Sequence, residues 1–218
     1  MKHLPSPTFA LLLSILLTVY QPVDVAGAAR KPVKLLPNEE SLLAKLHVLG
    51  AKEDSEILTP AEQTELTSTR EELKKLYARI SEAKLFERLL DICSGGVDGA
   101  AKVGAARLLS SFRGTTVVPY LKKGLEISLP SGVSYFCANG LAERCRGSEM
   151  TRTITMLEST NQKESDYAFK VLSHVELVRH RSQLEEMKAV HSRMKPGKYK
   201  EVIGAFISSM SRSKLKDD

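Results

Sequence analysis

The segment SYFCANGLAERC, Ser134 to Cys145, sets two cysteines eight positions apart in a chain that has only three. Such a pair can be a disulfide, half of a metal site, a nucleophile with its resolving thiol, or two small apolar side chains that fill space. On one continuous helix the eight-residue interval separates the α-carbons by about 12 Å at 1.5 Å rise per residue. A disulfide needs them within roughly 7 Å, so Cys137 and Cys145 do not bridge each other. An odd and sparse cysteine count is also a poor disulfide framework. The spacing therefore favours buried free thiols, and a single bridge from Cys93 to Cys137 or Cys145 stays open.

Other reactive groups give less. His174, His180 and His191 fall in one basic segment, but six residues put His174 and His180 on different sides of a helix. Neither HExxH nor Cys-x-x-Cys occurs, so these histidines are expected at the surface rather than on a metal. The glycine-rich stretch SGGVDGAAKVG follows a helix, not a strand, and lacks the lysine of a phosphate loop; it reads as a loop feeding the N-cap Asp98. No Ser-His-Asp or paired-carboxylate arrangement has a positional argument. The expectation is a chain without catalytic residues, cofactor or metal.

The chain begins with an export pattern: Lys2 and His3, the apolar run FALLLSILLTVY from Phe9 to Tyr20, then Ala26, Gly27 and Ala28. The run is 12 residues, against the roughly 20 a bilayer core requires. Residues 1–28 thus read as a signal peptide cleaved between Ala28 and Ala29, with a secreted or periplasmic destination. The net charge of +6 is unevenly spread: 18 basic and 16 acidic residues over 29–149, but 11 and 6 over 170–218. The last quarter therefore suits an anionic surface or acidic protein. Its few aromatics and the export signal argue against nucleic acid.

These groups must be positioned by helices. Tryptophan is absent, aromatics are 6% of the chain, and no segment alternates with the period of a strand. Asn38 opens a helix with acids in its first turn and Leu42, Leu43, Leu46 and Leu49 on one side. Thr59, Pro60 and Glu62 spell a capping box for a second helix, which carries Leu66, Leu73, Leu76, Tyr77 and Ile80 and runs on or breaks near Ser81. Phe86, Leu89, Leu90 and Cys93 form a one-face stripe. So do Ala105, Leu108, Leu109 and Phe112; Ala138, Leu141, Ala142 and Cys145; and Ala168, Val171, Leu172 and Val175. The last three stripes recur at intervals of 33 and 30 residues, a helical-solenoid period. Shorter helices lie between them, one capped by Thr115 or Thr116, each pairing with the stripe before it; KYKEVIGAFISSM, with Val202, Ile203, Phe206, Ile207 and Met210, ends the stack.

The segments VGAARLLSSFRGTTVVPYLKKGLE and VSYFCANGLAER resemble the HEAT-like repeats of the kind related to phycobilisome lyases, with Val118, Pro119 and Leu121 the most specific positions. The second copy lacks the proline and the third is more polar. The resemblance implies an all-α fold: a short α-solenoid of HEAT-like helix pairs preceded by an N-terminal helical hairpin. It divides the mature chain into a lead-in and hairpin (29–84), repeats (85–194), and a capping helix with a basic tail (195–218). The functional expectation is a non-catalytic scaffold that holds a protein partner on the concave face of its second helices, through Lys122, Lys123, Arg152, Glu185 and Lys188. Lys195, Lys198 and Lys200 bracket the break at Pro196 and Gly197 and would meet an anionic partner. The alternative is an enzyme or enzyme subunit, lyase or chaperone-like, using the same groove for a small ligand.

Overall fold

The structure is a computed structural model that describes residues 32–215, apart from 56–57, 128–129, 179 and 214. The signal-peptide segment 1–28 lies outside the described residues. The described residues form one compact unit. It is all-α: α1 (Glu39–Ser55), α2 (Pro60–Tyr77), α3 (Glu82–Ser94), α4 (Gly99–Ser111), α5 (Val118–Leu125), α6 (Ser131–Ala142), α7 (Ser148–Met156), α8 (Gln162–Val178), α9 (Arg181–Arg193) and α10 (Lys198–Ser211).

Local chemistry sets most of these boundaries. Thr59 Oγ1 accepts from Glu62 N, while the Glu62 carboxylate accepts from Thr59 N at 3.0 Å, closing the capping box of α2. That carboxylate also takes the Lys52 ammonium at 2.6 Å, and with the Thr59 bonds this holds Glu62 far down, at about 2. Asp98 accepts from Ala100 N at 2.7 Å and Ala101 N at 3.2 Å, so the glycine-rich stretch does feed a helix cap. The second helix breaks where serine is offered: α2 ends at Tyr77 and Ser81 precedes α3. Asn38 keeps its place at the head of α1, whereas the expected threonine cap of α5 is replaced. Asn38 stands before α1 in the left-handed region, φ 61°, and its carbonyl accepts from Leu42 N. Val117, not a threonine hydroxyl, occupies the N-cap of α5, because Thr116 Oγ1 donates to Glu82 instead.

The helices stack in two layers in a solenoid-like order. α1, α4, α6 and α8 lie side by side in chain order, with α10 following on α8; α3 beside α5, and α7 beside α9, form the second layer. Ala105, Ala138 and Ala168, all buried, sit on successive adjacent helices of the first layer. Small residues there let helix axes approach closely. One expectation is corrected. α5 packs chiefly on α6, and α7 on α8, so each second-layer helix joins the first-layer helix that follows it rather than the one before. The reason is the side chains. Leu121 on α5 is fully buried against Gly140 of α6, and Gly124 of α5 meets Cys137 of α6. α1 is itself a first-layer member, so the first helices and the later ones share one continuous core that runs from Leu42 to Met210.

Candidate functional site

The second layer has a break. α3 packs on α5 and α7 on α9, but α5 and α7 are not among the closely packed pairs. The slot left between them is a groove of about 430 Å³. Leu125 and Glu126 line it from the end of α5, Met156 from the end of α7, and Lys163, Tyr167 and Lys170 from α8. α7 is short, and the turn after it is held by Ser159, whose hydroxyl donates to Glu164 at 2.6 Å, and by Asn161, whose side chain accepts from Lys163 N at 3.1 Å. This turn brings the start of α8 up beside the end of α5.

Tyr167 lines the groove. It is half-buried, and the Lys122 ammonium stands over its ring, 5.1 Å from the centroid, the geometry of a cation–π contact. Lys122 also lies 4.0 Å from the Glu149 carboxylate. Burial, then the charges of Glu149 and Cys145, push the Tyr167 phenol up, while the charge of Arg152 pulls it down. Lys163, Tyr167 and Lys170 are at i, i+4 and i+7 of α8, one face, with the ring between the two ammonium groups. Two groove carboxylates are engaged: Glu164 by Ser159, and Asp166 by Gln162 Nε2 at 2.6 Å. Among the described residues the side-chain ammonium groups of Lys163 and Lys170 make no hydrogen bond or ion pair. The arrangement is an aromatic and aliphatic floor whose rim carries both ammonium groups, of Lys122, Lys163 and Lys170, and carboxylates, of Glu126, Glu164 and Asp166.

Of the residues singled out from sequence, Lys122 lines this groove, while Arg152, exposed on α7, does not. Lys123 is exposed on α5 and does not line it. Glu185 and Lys188 are exposed on α9 and pair with each other at 2.8 Å. Lys195 and Lys198 are exposed at the α9–α10 turn. Lys200 is half-buried there: its ammonium donates to Met194 O at 2.9 Å, and its carbonyl accepts from His191 Nε2 at 3.1 Å. Lys200 therefore ties the turn together.

The cysteines are buried and free. α6 ends at Ala142, so Cys145 lies beyond the helix, with Thr153 Oγ1 at 3.7 Å and Met150 Sδ at 3.9 Å from its sulfur. Burial pushes the Cys137 thiol up to about 12 and that of Cys145 up to about 11. Thiols held this high carry almost no thiolate near neutrality and are poor nucleophiles. Among the described residues no group of His, Cys, Asp and Glu is placed to hold a metal ion.

The histidines are not at the surface as expected. His174, His180 and His191 are all half-buried. The His174 ring sits edge-on to Tyr135, centroids 4.9 Å apart, and burial lowers its pKa to about 4. His180 Nε2 meets the Glu143 carboxylate at 2.8 Å.

Sequence reading missed a buried ionic cluster. Glu39, fully buried, accepts from Arg88 Nε at 2.6 Å, from Tyr77 Oη at 2.9 Å and from Leu36 N at 2.8 Å, while the Arg88 guanidinium also donates to Lys34 O at 3.0 Å. The cluster ties the lead-in, α1, α2 and α3 into one joint. Glu39 had been legible only as an acid in a first helical turn. A cavity of about 460 Å³ lies beside it, lined by Leu35, Leu36, Asn38 and Glu40. Glu39 on its wall is committed to the cluster, and Glu40 accepts from Asp98 N at 2.7 Å, so its acids serve the fold. No protein family, curated protein or solved structure matches the chain.

Proposed function

We propose that this protein is an exported, non-catalytic scaffold of HEAT-like helix pairs that holds a protein partner in the groove between α5, α7 and α8. The export reading rests on the pattern in residues 1–28, and the HEAT-like reading on the 33- and 30-residue recurrence of the stripes. The observation that carries the binding reading is the placement of Lys122 over Tyr167 in a slot where the second layer is not closed. A regular stack would bury that ring under a neighbouring helix. Here it stays accessible, with Leu125 and Met156 beside it and unpaired ammonium groups at its rim.

The test is affinity capture from the native exported fraction, with wild type and the Lys122→Glu, Lys170→Glu double variant as baits, read by mass spectrometry. A partner retained by wild type and lost by the double variant supports the reading. Identical capture by both baits removes the groove as the binding site.

A further inference from the structure

We propose that the outer face of the first layer, around Tyr135 of α6, is where two copies of this chain pair. The proposal goes beyond the scaffold reading and does not depend on it. Among the described residues the large hydrophobic side chains left most open are Val48, Tyr135 and Leu177, each about half exposed. All three stand on first-layer helices, α1, α6 and α8. Leu177 is nine residues beyond the buried Ala168, so at about 100° per residue it points to the opposite side of α8. Side chains join these helices in one row. The Arg107 guanidinium of α4 donates to Gly50 O of α1 at 2.8 Å and stands 5.1 Å from the centre of the Phe136 ring of α6. Phe136 meets Tyr135 at 5.3 Å between centroids, and Tyr135 meets His174 of α8 at 4.9 Å.

Charge argues for a second copy as the occupant. The chain carries a net +6, with 27% of its residues charged, so a pairing of two copies through an ordinary surface brings like charges together. A two-fold pairing sets one patch against itself, and so needs a patch without an excess of either sign. α6 contains no charged residue. α4 has two: Lys102, which is buried, and Arg107, which the Asp54 carboxylate holds at 2.9 and 3.0 Å. Burial keeps His174 neutral. On α1, Lys45 and Lys52 pair with Glu65 and Glu62 of α2, and at the α8 edge Lys170 is balanced by Asp166 one turn away. The face is also large enough. From α1 to α8 there are three interhelical spacings of about 8–10 Å each, and the 17 residues of α1 and of α8 run about 25 Å at 1.5 Å per residue. That is the scale of a stable pair, about 800 Å² per partner.

Sedimentation velocity of the full chain across a dilution series tests this. Wild type should move between one and two chain masses as concentration rises, and the pair should survive a change from about 0.1 to 1 M salt, which screens charges but leaves apolar contact in place. The Tyr135→Glu, Leu177→Glu double variant should raise the dissociation constant by about tenfold or more, with circular dichroism checking that its helices persist. Val48→Glu, on the opposite edge of the face, should weaken pairing as well, so the result does not hang on the fold of one variant. Lys123→Glu, on the second layer, should leave pairing unchanged. A wild type that stays a single chain at every concentration overturns the proposal. So does association that both face variants retain, that salt dissolves, or that only Lys123→Glu removes. The capture experiment on the groove decides the scaffold reading whichever way pairing falls.

Discussion

Gly104 on α4 faces the backbone of Leu43 on α1 so closely that a Cβ placed on Gly104 would collide with the Leu43 carbonyl oxygen. The contact joins helices that are far apart in the chain and side by side in the first layer. It makes the distance between α1 and α4 depend on a missing side chain.

Gly104→Ala should therefore destabilise the fold. Alanine in a helix gains about 0.5–1 kcal/mol over glycine, but the clash is with backbone, which cannot turn aside, and overpacking of this kind costs about 1–3 kcal/mol or more. The clash wins. Gly96→Ala, where a Cβ would meet nothing within 4 Å, is the control and should be near neutral. Chemical denaturation of both variants checks the difference; equal stability would show that α1 and α4 can part without loss.

Removing one partner of the Glu39–Arg88 pair should be severe. Glu39 is fully buried and Arg88 retains 20% of its side-chain exposure, so the loss belongs near the lower end for buried pairs, about 3 kcal/mol. Glu39→Gln and Arg88→Met should each show it, and the double variant should lose less than the sum. A double-mutant cycle by urea denaturation measures that coupling. Additive losses would mean that the two side chains act separately.

The thiols should be inert in the native state and unequal when replaced. Cys137→Ser buries a hydroxyl where, among the described residues, the sulfur has no hydrogen-bond partner, at about 1–3 kcal/mol. Cys145→Ser should cost less, because Thr153 Oγ1 is already 3.7 Å from the sulfur. Thermal melts rank the two variants, and maleimide labelling before and after unfolding tests burial. Fast native labelling of Cys145 would contradict its position in the core.

Acid should weaken the protein partly through His174. Burial depresses its folded pKa from 6.5 to about 4, so between those values the unfolded chain binds the proton and the folded chain does not. Stability then rises with pH, by linkage: this contribution is fully present above pH 6.5 and is lost as the pH falls toward about 4. Denaturation midpoints across that window should slope less in His174→Gln than in wild type. Parallel slopes would place the acid sensitivity on other groups, such as His47, which burial and Arg107 also lower.

Helix existence and much of the core were determined by the sequence itself, because both follow from contacts within a few residues. Phe86, Leu89 and Cys93, or Ala168, Val171, Leu172 and Val175, fall on one face by helical geometry alone and are buried. The Thr59 box and the Asp98 cap close within three residues and are equally readable. Tertiary structure decided the rest. Whether α5 leans on α4 or α6 depends on where Gly124 and Cys137 can meet, and the burial of His174 depends on Tyr135, a helix away. Glu39 and Arg88 are 49 residues apart, with no local pattern to link them. Lys122 and Tyr167 become a site only because α7 and its turn leave the second layer open. Local periodicity tells which face of a helix is apolar, but not which neighbour covers it. That choice is made by long-range packing, and the groove lies where no neighbour does.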